Sequence, residues 1–175
     1  MKTSSLAPLL LLFLGACASS AALRTVPAPT PEAEALFARV KALEGTWELT
    51  DEQGARQVAS VFSVSSQGSV VREVMFPGAE HEMTNVYHLD GPSLVMTHYC
   101  ASGNQPRLLA EAVDAATLAF HLDSVTNLTA ADAAYMGALT LVCETPDRLR
   151  AEWKTFQDGR VVTEHSPVFV LTRKP

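Results

Sequence analysis

"HEMTNVYHLDGPSLVMTHYC", His81 to Cys100, is the stretch whose reading decides the fold. On either side of Asp-Gly-Pro-Ser the chain alternates with period two, the pattern of two strands joined by a tight turn. If Asp90 to Ser93 is a four-residue loop, Leu89 faces Leu94, Tyr87 faces Met96, Asn85 faces His98 and Met83 faces Cys100. One face of this hairpin is then apolar except for one amide and one imidazole. The other face holds Glu82, Thr84, His88, Thr97 and Tyr99, which suit solvent.

The same period recurs outward in both directions. "TWELT", "VASVFSV", "SVVREVMF", "RLLAEAV", "TLAFHLD", "GALTLVCE", "RLRAEWKTF", "RVVTEH" and "VFVLTRK" are short alternating segments, separated by turn signals such as "DEQG", "SQG", "FPGAE", "ASGNQP", "TPD" and "QDG". Strands joined by hairpins form a meander, and a long meander either closes or leaves exposed edges. The sequence therefore predicts an all-β, antiparallel up-and-down barrel of about 8–10 strands. Ahead of it, "TPEAEALFARVKALEG" offers Thr30 as N-cap and Pro31 in the first turn. Leu36, Phe37, Val40 and Leu43 follow at helical spacing, and Gly45 is expected to stop this short α-helix. "SVTNLTAADAAYM", Ser124 to Met136, breaks the strand pattern and reads as a short helix or a lid.

Export is written in the first residues. Lys2 precedes an apolar run from Leu6 to Leu14, too short to span a bilayer, as in a signal peptide. "LGAC", Leu14 to Cys17, resembles the bacterial lipobox, which implies acylation of Cys17 and anchoring by acyl chains at roughly 0.8 kcal/mol per buried methylene. Cleavage after "ACA", releasing a secreted protein, is the other outcome. The chain divides into a signal peptide at 1–16, a lipidated cysteine and flexible tether at 17–30, rich in Ala, Pro, Ser and Thr, and one barrel domain at 31–175. Ala18 after Cys17 resembles outer-membrane lipoproteins facing the periplasm. A net charge of −6 without a basic run argues against a nucleic-acid partner. Cys100 and Cys143, in an oxidising compartment, either pair or remain small buried thiols.

"LEGTWELT" places Gly45 and Trp47 on the first strand directly after the helix. This looks like the glycine-x-tryptophan signature of the lipocalins and the wider calycin group, which includes fatty-acid-binding barrels and bacterial lipocalin-like domains. The resemblance implies a tryptophan plugging the closed end of a barrel, with an arginine from the last strand lying across its ring. Arg173, in "FVLTRK", shares the parity of Phe169 and Leu171 and fits that role.

Extending pleat parity across "PGAE", Pro77 to Glu80, pairs Phe76 with His81, Val74 with Met83, Arg72 with Asn85 and Val70 with Tyr87. Arg72, Asn85 and His98 then form one inward polar row within a wall that includes Met83, Tyr87 and Met96, while Glu73 faces out. An inward arginine in an apolar barrel suits the head of a carboxylate or other polar-headed apolar ligand. In the alternative, Arg72 lies outward against an acid and Asn85 and His98 satisfy one another in a filled core. In "THYCASGNQPR", Gly103 and Asn104 are expected to supply positive φ for a turn. Pro106 starts a strand, and Arg107 reaches toward the barrel mouth.

Non-catalytic binding or sequestration of a small hydrophobic or amphipathic molecule is the expected function, with no cofactor and with the membrane reached through the lipid anchor. A barrel enzyme using His98 with Glu73 or Glu111 for acid-base chemistry is the competing reading. A structural lipoprotein with a filled barrel is the third. A metal site built from His98, Cys100 and His81 or His88 lacks any ligand motif.

Overall fold

In the computed structural model, which describes residues 23–175, a single helix leads into a closed barrel. Residues 1–22, which carry the signal peptide and Cys17 readings, lie outside the described residues. Residues 23–30 form neither helix nor strand.

α1 spans Pro31–Lys41. Thr30 Oγ1 accepts the Ala33 N–H at 3.2 Å, and Pro31 needs no donor where the helix has no acceptor to offer. Glu32 and Glu34 occupy the first turn and Arg39 and Lys41 the last, both matching the helix dipole. Ala33, Phe37 and Val40 make the buried stripe. The helix stops at Lys41, capped by Ala42, so Gly45 does not end it; Gly45 opens the first strand instead.

Eleven strands follow: β1 Gly45–Thr50, β2 Arg56–Ser65, β3 Val70–Met75, β4 Met83–Asp90, β5 Ser93–Tyr99, β6 Gln105–Ala112, β7 Thr117–Thr126, β8 Tyr135–Thr145, β9 Arg148–Gln157, β10 Arg160–Val162 and β11 Val168–Arg173. Each alternating segment of the sequence has become one of them. β1 to β9 pair in succession, β9 also pairs with β11, and β11 returns to β1, so ten antiparallel strands close an up-and-down barrel. The short β10 pairs with β9 alone. Closure gives the ring's backbone donors and acceptors partners all the way round. The break at Ser124–Met136 contains no helix: β7 continues to Thr126, and residues 127–134 form an irregular loop.

α1 packs against β4, β5 and β6. Beneath it the interior is filled by Phe62, Tyr87, Leu94, Met96, Leu108 and Phe120, all buried. Tyr87 lies 6.4 Å from Phe62 and meets Phe120 edge-on at 5.8 Å, centroid to centroid.

The helix end of the barrel is sealed by Trp47. Its ring is buried, its Nε1–H donates to the Leu43 carbonyl at 2.8 Å, and the Arg173 guanidinium lies 4.3 Å above the ring centroid. Trp47 and Arg173 are direct cross-strand partners. Arg173 also donates to the carbonyls of Glu44, at 2.6 Å, and Ala42, at 3.0 Å, joining the last strand to the helix C-terminus. The Arg173 guanidinium thus covers the Trp47 ring from the neighbouring strand. Gly45 is part of this closure: its φ is 134°, and a Cβ built there would lie 2.9 Å from Arg173 Nη1. Gly45→Ala is expected to displace the guanidinium and cost about 1–3 kcal/mol, measurable as a lower urea midpoint with an unchanged slope.

Candidate functional site

The β4–β5 hairpin has the expected register. Leu89 pairs with Leu94, Tyr87 with Met96 and Asn85 with His98, so Asn85, Tyr87, Met96 and His98 all turn inward and are buried. Met83 is half-buried against the same core.

The β3–β4 register differs from expectation by one residue. Met75 pairs with Met83, Glu73 with Asn85 and Val71 with Tyr87. Arg72 is therefore exposed on the outer face, and Glu73 takes the inward place. The cause is Phe76. It adopts φ 52°, donates its N–H to the Ala59 carbonyl of β2 at 2.8 Å, and leaves the β3–β4 ladder. The connection then runs through residues 76–82, held by the Ala79 N–H on the Phe76 carbonyl and by Glu82 Oε2 accepting the Gly78 N–H at 2.6 Å. One extra residue in the connection inverts every side chain beyond it.

The inward polar row is accordingly an acid, an amide and an imidazole. Glu73 Oε1 accepts from Ser60 Oγ at 2.7 Å; Oε2 accepts from Asn85 Nδ2 at 2.7 Å and from the Tyr87 hydroxyl at 2.8 Å. With its amide nitrogen committed to Glu73, Asn85 presents Oδ1 to His98 Nδ1 at 2.7 Å. His98 Nδ1 must then carry the proton, which leaves Nε2 a bare lone pair. That atom is buried without a partner, and the imidazole lies 4.9 Å from the Trp153 ring.

Burial dominates the electrostatics. It raises the Glu73 carboxyl above its ordinary range, against the lowering effect of its three hydrogen bonds. It raises the Tyr87 hydroxyl as well, with the Glu73 charge adding to the effect. It lowers His98 to about 4. Because the folded His98 resists protonation while the unfolded one titrates near 6.5, its contribution to stability is complete above 6.5 and is lost as pH falls toward 4. Glu73 acts in the opposite sense: stability is lost as pH rises above the carboxyl's ordinary value of 4.5. His98→Gln is expected to remove roughly 3 kcal/mol of acid sensitivity between pH 6.5 and 4, seen as a flatter profile of unfolding free energy against pH.

Glu73 and Ser60 face a small cavity whose remaining wall is apolar and includes Met75, Phe76, Leu141, Trp153 and Phe169. Its water-accessible volume is about 10 Å³, close to the minimum for one water. Phe76 and Phe169 meet edge-on at 5.4 Å across it, and His81 lies against Phe76 at 5.0 Å. Arg173 reaches the helix, so Phe169, four residues earlier on β11, lies toward the opposite end of the barrel, the mouth.

Other expected site residues lie elsewhere. Arg107 does not reach the mouth; it bridges Asp123, at 2.6 Å, and Asp90, at 2.8 Å. Arg107 alternates with the buried Pro106 and Leu108 and so turns outward, the register shift beside it leaves Asp123 of β7 without a cross-strand partner, and the guanidinium is held by acids from β4 and β7. Glu111 is an exposed partner of His121 at 2.8 Å, remote from the interior row. Gly103 has the expected positive φ of 85°. Asn104 does not; it is buried and donates to the Ala134 carbonyl at 2.9 Å, while Asn127 donates to the Gly103 carbonyl at 2.6 Å. The polar residues of "ASGNQP" thus fasten the 127–134 loop. Cys100 and Cys143 are free thiols. Among the described residues, no three His, Cys, Asp or Glu side chains gather as a metal site would require.

No family model matches the chain, and no curated protein matches it either. Sequence reasoning missed Ser60 and Trp153 as parts of the interior site, and it named Glu73 only in the catalytic alternative while facing it outward in the binding reading. Trp153 had the signal, an aromatic at an inward parity in "RLRAEWKTF", but nothing local tied it to His98.

Proposed function

We propose that this chain is an exported, lipid-anchored barrel of the calycin type that binds a small hydrophobic or amphipathic molecule through its mouth. The observation that carries the reading is Glu73. A carboxyl taken out of water costs several kcal/mol, and a filled structural core has no need of one. Here it is held by three donors, its Oε1 retains a lone pair, and it borders a cavity that is otherwise apolar. Concave apolar surroundings with a few convergent polar groups are the general form of a small-molecule site.

The cavity's size sets the condition for binding: Phe76 and Phe169 must part. Phe76 already occupies a backbone conformation that a bulky residue rarely adopts, which supports a role as the moving side of the mouth. Native mass spectrometry of the purified protein, followed by titration with fatty acids, apolar amines and apolar dyes, tests the reading. A bound small molecule or a saturable titration is expected. Protein recovered empty that also ignores the panel would favour the purely structural alternative.

The bare His98 Nε2 favours a second reading, acid-base catalysis by His98 with Glu73 positioned through Asn85. It predicts turnover of a small envelope metabolite that His98→Ala abolishes in a folded protein. For the anchor, Cys17→Ser is expected to move the protein from the membrane fraction to the soluble one, and the N-terminal peptide of the parent should carry acyl mass. An unmodified peptide would support simple secretion.

A further inference from the structure

We propose that the interior selects ligands headed by a hydrogen-bond donor, an apolar amine above all, and discriminates against carboxylates. This rests on the binding reading given above and specifies its ligand.

Most of the hydrogen-bonding capacity of the interior row is already used. Within the row, the Ser60 and Tyr87 hydroxyl hydrogens both go to Glu73. One Asn85 amide hydrogen goes to Glu73 and the amide also lies 3.4 Å from Met75 Sδ; the His98 Nδ1 hydrogen goes to Asn85. Every donor of the row is committed. What remains is acceptor capacity: a lone pair on Glu73 Oε1, at the cavity wall, and the lone pair of His98 Nε2, buried behind Trp153. Only a ligand that brings its own donors can use these atoms.

Charge points the same way. No lysine or arginine lines the cavity. Arg72 is on the outer face, and Arg173 is engaged with carbonyls at the helix end. A carboxylate entering here would meet the Glu73 carboxyl with no cation between them, whereas an ammonium would meet it as a charge-assisted hydrogen bond. The Trp153 ring in the same wall offers a second favourable surface to a cation.

Three compact probes of matched shape test this: benzylamine, benzyl alcohol and benzoate, titrated into the full-length purified protein while the Trp153 indole resonance is followed by heteronuclear NMR. Benzylamine is expected to bind at least about tenfold more tightly than benzoate, with benzyl alcohol between them. Glu73→Gln should weaken benzylamine by about tenfold and leave benzyl alcohol within about threefold. Benzoate binding as tightly as benzylamine would overturn the proposal while leaving ligand binding in place, and so would an unchanged amine affinity in Glu73→Gln. If none of the three binds and the protein is also empty by native mass spectrometry, the binding reading itself fails. The amine-to-benzoate ratio of the parent protein decides the question even if Glu73→Gln does not fold.

Discussion

Trp47→Ala is expected to lower the stability of the barrel by about 4 kcal/mol, the cost of deleting a large buried aromatic whose space cannot collapse. The ring is 1% exposed. Three separate attachments fail with it: the core packing, the Nε1–H on the Leu43 carbonyl, and the face on which Arg173 rests. Because Arg173 also holds the carbonyls of Ala42 and Glu44, its release loosens the join between helix, first strand and last strand. Calorimetry should show a melting temperature lower by roughly 10 °C. A fall of only a degree or two would mean that the end of the barrel is sealed by something other than this plug.

Asn85→Leu is expected to cost about 3 kcal/mol for a different reason. The side chains are similar in size, so packing changes little, but a buried carboxyl loses one of its three donors and the His98 Nδ1–H loses its acceptor. Removing one member of a buried polar chain strands the others, whereas replacing all of them with apolar groups can be nearly neutral. Adding Ser60→Ala, Glu73→Leu, Tyr87→Phe and His98→Leu to Asn85→Leu removes every member of the chain and should therefore recover much of the loss. Urea unfolding of the single and combined variants measures this directly. Strict additivity, with the combined variant weaker still, would show that these residues do not act as one network.

Much of the fold was legible because period two is a local signal. Each alternating segment became a strand, and the β4–β5 hairpin kept its expected pairs because Asp90 and Ser93 bracket a turn whose chemistry is contained in its own residues. The neighbouring connection failed for the opposite reason. Whether Phe76 stays in β3 or turns out of it depends on a hydrogen bond to Ala59 of β2, a contact that no window around "FPGAE" contains. That single backbone choice exchanged Arg72 for Glu73 inside the barrel and reversed the charge of the site. Arg107 was misplaced similarly: Asp90 and Asp123 come from other strands, and only the assembled sheet shows that both lie beside it. Asn104, expected to make a turn, instead secures a loop some thirty positions away in sequence.

The two ends of β4 carry a geographical consequence. Its first residues lead from the Phe76 connection, while its last, with Gly91 beyond them, lie beside Val26 and Pro27 of the segment that enters the domain. Those ends are separated by the length of the strand, about 25 Å. The entering segment therefore joins the barrel at its stoppered base, and the paired rings of Phe76 and Phe169 lie at the far end.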